Sequence, residues 1–266
     1  MGYGAIASGT FAGTFGFNGR ASGNSAITLG NSYASGADSL AAAIVNNTSS
    51  YGATGTRSVA IGDRAKSAGY GGIAIGQRAT ASGNYSMALG AGNGVVEATT
   101  AEAIAMGTGA YSNLTGKLAF SSGTFGSSLG HAQTGIFVLR RSTTDATPNV
   151  LATTASSGNT LNQVVLANNS ALSFSGTIIA RESAAAGSNY ASWEIKGALL
   201  RDANAASTVL GNGIQNKLYA TAGASAWAIA LTADTTNGGL KIEVTGAAST
   251  NIRWVATVHT SEVTYA

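Results

Sequence analysis

The chain has 266 residues, of which only 9% are charged, and its 14 basic and 11 acidic residues leave a net charge of +3. A typical globular domain is roughly 25% charged, so Ser, Thr, Asn and Gly must cover most of the surface. The scattered basic residues do not form the concentrated patch that nucleic-acid binding requires. The absence of cysteine excludes disulfides and thiolate metal sites. A single proline among 37 glycines excludes collagen, and the 44% hydrophobic content favours a folded chain.

A five-residue phrase repeats without gaps in the first half of the chain. Its three best copies are SVAIG at 58–62, GIAIG at 72–76 and SMALG at 86–90, so the period is 14 residues. A weaker phrase of small residues lies between them, at 65–69 and 79–83. Degraded copies continue upstream and downstream, with insertions near 46–56 and within 91–102. Repetition at a fixed period indicates a solenoid.

Each phrase has the alternation of a short β-strand. Large apolar residues alternate with alanine, which is a strand pattern, and the closing glycine permits a tight turn with positive φ. Two short strands and two turns in 14 residues make one rung, and rungs must stack because no single rung can bury an apolar face. The sequence predicts that the core of the repeat consists of Val59, Ile61, Gly62, Ile73, Ile75, Gly76, Met87, Leu89 and Gly90.

The repeat region resembles a known family. The stretch SVAIGDRAKSAGYGGIAIGQRATASGNYSMALG is similar to the head repeats of trimeric autotransporter adhesins (YadA-like). The resemblance is strongest at 57–90 and extends loosely over about 1–130. It implies a left-handed parallel β-roll in which three chains pack around a common axis, that is, a homotrimer. A monomeric β-solenoid is the alternative.

Two features differ from the bacterial adhesins. The amino terminus has no secretory signal pattern, and the carboxyl end is not a coiled-coil stalk leading to a membrane anchor. Similar rolls occur in bacteriophage tail fibres, which are made in the host cytoplasm without export. We therefore expect a virion protein, on the tail fibre or the capsid exterior.

The second half of the chain has a different residue pattern. Residues 131–160 read as a transitional neck, and short strand-like runs separated by turn residues fill 161–266, which favours a β-sandwich or jelly-roll head. Alternation places Trp193, Trp227 and Trp254 in the core. The segments SGTIIARE, YASWEIKGALL, WAIALTADTTNGGLKIEVTG and NIRWVATVHTSEV resemble a β-domain found at the carboxyl ends of phage fibre and virion proteins. The predicted strands are 163–166, 171–181, 190–200, 217–220, 226–232, 240–245 and 252–259.

The sequence carries no catalytic pattern. His131 and His259 are the only histidines, and no motif places a nucleophile or a carboxylate beside either. A glycosidase needs two carboxylates flanking the scissile bond, and none of the 11 acidic residues forms such a motif. Residues 234–239 contain an Asn-Gly step typical of a hairpin turn and lack the ligand spacing of a calcium loop. We expect no enzyme activity, metal or cofactor, with a depolymerase as the alternative, and no apolar run is long enough for membrane insertion.

The expected function is host recognition by a trimeric phage fibre. The roll would be a rigid shaft, and the head would bind a host-surface glycan or protein through loops at 183–190, 201–212 and 234–239. Three copies would add avidity, and other virion proteins would bind the amino end. The alternatives are a capsid-attached structural fibre and a bacterial surface adhesin. The receptor-binding candidates are Tyr190, Arg201, Asp202 and Asn237.

Overall fold

A computed structural model describes residues 2–45, 48–90, 94–126, 128–183 and 188–265. The fold is all-β, and the only helical segments in these ranges are the 3-10 turns Ala205–Ser207 and Ala222–Ala224. The chain divides into two compact units. The first, called the roll, comprises Met1–Asn113 and Leu118–Ala132, and the second, called the head, comprises Leu114–Lys117 and Gln133–Ala266. Most of the predicted neck therefore belongs to the same unit as the head.

The roll is a parallel β-solenoid of about eight turns. Successive strands alternate between two parallel sheets, so that each coil contributes one strand to each sheet. One sheet contains β1 (Ile6–Ala7), β3 (Arg20–Ala21), β5 (Tyr33–Ala34), β7 (Gly52–Ala53), β9 (Lys66–Ser67), β11 (Ala79–Ala81), β13 (Val96–Ala98) and β15 (Tyr111–Ser112). The other contains β2 (Gly13–Phe15), β4 (Ile27–Leu29), β6 (Leu40–Ala42), β8 (Val59–Ile61), β10 (Ile73–Ile75), β12 (Met87–Leu89), β14 (Ile104–Met106) and β16 (Leu118–Phe120).

Glycines make the short coils possible. Gly62 and Gly76 have φ values of 121° and 114° at the turns that close the phrase, a conformation that favours glycine. A Cβ at Gly69 would lie 1.9 Å from the carbonyl oxygen of Gly83 in the next coil. The predicted turns after the phrase are thus present at Gly62 and Gly76, whereas Gly90, which follows β12, has its φ outside the left-handed region. The insertion at 91–102 lies partly outside the described residues.

The interior of the roll consists mainly of alanine. The central residue of each phrase, such as Ala60, Ala74 and Ala88, is completely buried. The large residues on either side are only partly buried, and Ile75 is 41% exposed. The prediction that the large residues are the core is wrong for the single chain, because alternate side chains of a strand point to opposite faces and the small residues point inward. The residues to which this correction applies are Val59, Ile61, Ile73, Ile75, Met87 and Leu89.

The head contains two sheets. Five strands lie side by side in the order β17 (Ala132–Thr143), β25 (Ile252–Thr264), β20 (Ser170–Glu182), β21 (Tyr190–Arg201) and β22 (Val209–Ala220). The last four of these are antiparallel. The second, antiparallel sheet is built on β24 (Gly239–Thr245), which pairs with β18 (Asn149–Val150), β19 (Val164–Val165) and β23 (Ala228–Asp234).

The head has a core of large side chains that both sheets supply. Trp193, Trp227 and Trp254 are almost completely buried, which confirms the prediction made for them. The ring centroids of Trp193 and Trp254 are 5.5 Å apart, and those of Trp227 and Trp254 are 5.9 Å apart. The indole Nε1 of Trp254 donates a 3.0 Å hydrogen bond to Thr143 Oγ1, so the buried polar atom is satisfied.

Candidate functional site

The roll presents a continuous apolar face, here called the roll face. It is the outer side of the sheet that runs from β2 to β16, and it carries two rows of side chains in register from coil to coil. One row is Ile27, Leu40, Val59, Ile73, Met87, Ile104 and Leu118, and the other is Phe15, Leu29, Ala42, Ile61, Ile75, Leu89, Met106 and Phe120. Neither row contains a charged residue. Eight strands about 4.8 Å apart make a face about 34 Å long.

Such a face is unusual in a monomer. Monomeric soluble proteins rarely expose large contiguous apolar patches, and a large patch marks an interaction surface. Phe15, Leu29, Met106 and Phe120 are all exposed in the single chain. The chemistry of the roll face is therefore that of an assembly surface.

Tyr190 is the first residue of β21 and forms an exposed aromatic pair with Tyr219 of β22. Their ring centroids are 5.1 Å apart with an interplanar angle of 28°. The charge of a neighbouring Tyr219 phenolate, a hydrogen bond with Tyr219 and slight burial together raise the pKa of Tyr190 above its ordinary value. The pair is a polar-edged aromatic surface that can contact a ligand. The sequence analysis placed Tyr219 in a predicted strand at 217–220 but did not pair that strand with β21. It therefore missed Tyr219 as the partner of Tyr190.

Arg201 and Asp202 lie at the other end of β21. Nη1 of Arg201 donates to the Leu166 carbonyl oxygen at 2.6 Å and lies 3.4 Å from the Gly238 carbonyl oxygen. Arg201 thus joins β21 to the turn between β23 and β24. Asp202 is exposed, but its backbone N–H donates to Ser207 Oγ at 3.0 Å and its carbonyl oxygen accepts from the Asn169 N–H. The last four residues of the predicted 201–212 loop, 209–212, belong to strand β22.

Asn237 stabilises the β23–β24 hairpin turn, as its Asn-Gly step predicts. Its Nδ2 donates to Asp234 Oδ2 at 2.8 Å and to Gln163 Oε1 at 3.1 Å. Burial by itself would raise the pKa of Asp234, but hydrogen bonds from the Asn237 backbone and side chain and from the Thr236 N–H outweigh it, and the pKa is lowered. These interactions maintain the turn and give Asn237 a structural role.

The four predicted receptor-binding residues do not form one site. Tyr190 and Arg201 are the two ends of the 12-residue strand β21, so at about 3.3 Å per residue they are about 36 Å apart. Arg201, Asp202 and Asn237 cluster at one end of the sheet, whereas Tyr190 and Tyr219 lie at the other. Four of the residues in the predicted loop at 183–190, namely 184–187, lie outside the described residues.

A buried ionic cluster in the head carries no signal in the sequence. Nζ of Lys117 donates to Glu262 Oε2 at 2.6 Å, and Gln133 Nε2 donates to the same oxygen at 2.7 Å. Thr260 Oγ1 donates to Oε1 at 2.7 Å. Burial would raise the pKa of Glu262, but the Lys117 ammonium and these hydrogen bonds outweigh burial and lower it. The four residues are separated by up to 145 positions in sequence, and only the fold brings them together.

The outer face of the five-stranded sheet also has an apolar groove. Its volume is about 520 Å³, and Ala171, Leu200, Val209 and Val263 are among the residues that line it. None of the described residues that line it has a titratable side chain, and the chemistry of the groove suits packing.

The two histidines have different environments. His131 is buried, and its Nδ1 lies 3.1 Å from the Phe125 carbonyl oxygen, whereas His259 is exposed on β25. Within the described ranges, no three His, Cys, Asp or Glu residues are grouped so that they could hold a metal ion. In the same ranges, no helix is long and apolar enough to cross a membrane.

Comparison with known proteins places two copies of the YadA head domain repeat at residues 53–79 and 67–93. These overlapping matches coincide with coils β7 to β12 and confirm the resemblance of the repeats. Comparison with curated proteins gave no match. The family match covers the centre of the roll and does not reach the head.

Solved structures give weaker similarities. The tailspike gp49 of Acinetobacter baumannii bacteriophage Fri1, a capsular polysaccharide depolymerase, is 9% identical with a TM-score of 0.29, over 92% of this chain and 41% of the tailspike. The tailspike of Acinetobacter baumannii phage AM24 is 11% identical with a TM-score of 0.27, over 98% of this chain and 48% of that one. The chain thus spans less than half the length of either protein, and at these TM-scores neither fixes the fold. The structural finding that stands by itself is a β-solenoid containing YadA head repeats.

Proposed function

We propose that this chain is a subunit of a trimeric, bacteriophage fibre- or tailspike-like adhesion protein. Three rolls, each wound left-handedly, pack around a common axis through their roll faces, and three heads contact the host surface. The observation that carries this proposal is the roll face, with its two uncharged rows of apolar side chains. Three copies that bury these rows against one another supply the large-residue core that the alanine interior of one roll lacks.

The head contributes adhesion and not catalysis in this proposal. Its two sheets sharing one core are consistent with a sandwich-like domain. The two carboxylates with shifted pKa values are engaged in structure: Glu262 is bound by Lys117, and Asp234 caps a turn. The stacked pair Tyr190 and Tyr219 is the part of the head that supports recognition best. The virion location, the attachment of the amino end to other virion proteins and the glycan or protein receptor belong to the same proposal.

The native mass tests the assembly. Three chains of 26.2 kDa give 78.6 kDa by light scattering. Ile75→Asp places a carboxylate in the roll face, and we expect it to reduce the trimer to monomers because three buried charges would meet near one axis. Val255→Asp is the matched control, because Val255 is 40% exposed on the head against 41% for Ile75. A wild-type monomer, or equal masses for the two variants, would contradict the proposal.

Adhesion is tested separately. A panel of bacterial strains is first screened for one that binds the wild-type protein. The Tyr190→Ala/Tyr219→Ala variant should remain trimeric and lose binding to that strain. Binding that survives this change would remove the head assignment. Antibody labelling of intact particles on the capsid rather than on the tail would favour a structural capsid fibre instead.

A further inference from the structure

The roll carries a second exposed aromatic cluster, on the turn that leads from one sheet to the other. This turn places a residue at positive φ in successive coils, and from Ser25 to Glu102 that residue donates its N–H to a carbonyl oxygen of the coil before it. The residues at that place form a ridge along the roll, here called the turn ridge: Phe11, Ser25, Asp38, Arg57, Gly71, Tyr85 and Glu102. It lies at the edge of the roll between the strands, apart from the roll face.

Four consecutive coils hold a connected group of polar and aromatic side chains at or next to the turn ridge. Arg57 Nη1 donates to the Tyr70 hydroxyl, and the guanidinium carbon lies 5.5 Å from the centre of the Tyr70 ring. The rings of Tyr70 and Tyr85 meet edge to face with centroids 5.4 Å apart. Arg57 Nε also lies 3.9 Å from an Asp38 carboxylate oxygen on the other side. The group is thus fixed by contacts within the chain and needs little ordering on binding.

The backbone beneath the rings is adapted to them. Gly71 follows Tyr70 and lies against the Tyr85 ring, and a Cβ there would lie 3.0 Å from Cδ1 of Tyr85. The Tyr70 N–H donates to Asn84 Oδ1 at 3.1 Å, which ties the two aromatic turns together. The Tyr85 residue is nevertheless 60% exposed, and the Arg57 side chain is 65% exposed. A pre-formed aromatic surface therefore faces the solvent with charged groups at its rim.

We propose that Asp38, Arg57, Tyr70 and Tyr85 form a binding site for a neutral glycan on the shaft of the protein. Sugar rings present apolar C–H faces that stack on tyrosine, and their hydroxyls both donate and accept hydrogen bonds. Arg57 supplies donors and Asp38 supplies acceptors next to the rings. The opposite charges of Arg57 and Asp38 balance, so this group has no excess charge to select an acidic polymer.

The arrangement along the solenoid suits a chain-like ligand. Neighbouring coils are about 4.8 Å apart, a spacing close to the length of one sugar unit. The Arg57, Tyr70 and Tyr85 coils therefore offer successive contacts to successive residues of an oligosaccharide. This site goes beyond the proposed head contact and would hold a surface polysaccharide along the shaft.

The test uses the full chain and an array of neutral hexose and N-acetylhexosamine oligosaccharides of four to six units. We expect the wild type to bind at least one of them, and Tyr70→Ala/Tyr85→Ala to bind it at least about tenfold more weakly, as for the loss of a buried aromatic contact. Tyr70→Phe, which keeps the ring and loses the hydroxyl, should have a smaller effect. Tyr3→Ala removes an exposed tyrosine that stacks on Phe17 at a different turn and should bind as the wild type does.

Several results would overturn the site. They are the absence of binding to every oligosaccharide on the array, unchanged binding by the double variant, or equal loss in Tyr3→Ala. If the chain were retained by an immobilised protein and by none of the oligosaccharides, the cluster would be assigned to a protein partner. That result would also overturn the proposed glycan site. Light scattering on the same samples measures the oligomeric state independently of glycan binding. Because all four residues belong to one chain, failure of the site can be distinguished from failure of the assembly.

Discussion

The roll and the head bury their cores in opposite ways. The head fills its interior with Trp, Phe, Leu and Ile from two sheets, so that one chain contains its own large-residue core. The roll fills its interior mainly with alanine, together with serine and threonine, and places most of its large residues on the outside. Burial of apolar surface contributes about 25 cal/mol per Å², so alanine rungs gain little from burial within one chain. The comparison teaches that the head contains its own large-residue core, whereas the large residues of the roll would be buried only in the assembly proposed above.

The largest expected effect is in the head core. Trp254→Ala should lower the free energy of unfolding by about 3–5 kcal/mol, because it leaves a cavity between two other indoles and removes the partner of Thr143. Urea unfolding followed by tryptophan fluorescence measures it. The neighbouring substitution Val255→Ala, on the exposed face of the same strand, should change stability by less than about 0.5 kcal/mol. Similar losses for both would show that the head core is not a close-packed unit.

The next effect concerns the buried ion pair. Glu262→Gln should cost about 3 kcal/mol, because the Lys117 ammonium, with a side chain only 3% exposed, loses its counter-ion. Replacing both partners by Lys117→Met/Glu262→Leu should recover much of that loss, since removing both charges also removes their desolvation cost. Urea midpoints of the two variants decide the matter. A double variant as unstable as the single one would mean that the pair is not the source of the effect.

The same pair predicts a pH dependence. The folded pKa of Glu262 is lowered, so the stability it contributes is fully present above the unfolded value of about 4.3 and is lost as the pH falls through the folded value. Thermal unfolding between about pH 5 and pH 2 should therefore show a decline in the wild type that is smaller in Glu262→Gln. A decline of equal size in both proteins would assign the acid sensitivity to other carboxylates.

Sequence reasoning succeeded where one signal decides the structure. The 14-residue period, the closing glycines and the alternation were sufficient to predict the solenoid, and alternation also placed the three tryptophans. It failed where side-chain direction or distant contacts decide. The phrase V-A-I has two possible inward faces, and apolarity favoured the valine and isoleucine face. Only the stacked coils, whose interior is narrow at these positions, put Ala60 and its equivalents inside.

The candidate site was predictable in part. Tyr190 is exposed, and its partner Tyr219 could not be found without the register between β21 and β22, which includes two irregularities. Arg201 and Asn237 looked like loop residues with free polar groups, but the fold uses them to hold a turn. Lys117 and Glu262 gave no sequence signal, because nothing local distinguishes a charge that will be buried by a strand 145 residues away.

The substitutions with the smallest expected effects test the roll most directly, because they compare a residue inside the alanine core with its neighbour on the roll face. Ala74→Leu should destabilise the roll by about 1–3 kcal/mol whatever the oligomeric state, because Ala74 is completely buried between Ala60 and Ala88 and the narrow interior cannot accept a larger side chain. Ile75→Ala, one residue away on the roll face, should cost less than about 0.5 kcal/mol in chains held as monomers, because this side chain is largely exposed there. In the trimer the same substitution should cost about 2 kcal/mol or more, since the side chain becomes buried between chains.

The measurement is urea unfolding of both variants, in the wild-type background and in an Ile27→Asp background designed to keep the chains apart. An Ile75→Ala cost that is the same in both backgrounds would mean that the roll face stays in water, and the single roll would then have to be stable on its alanine core alone.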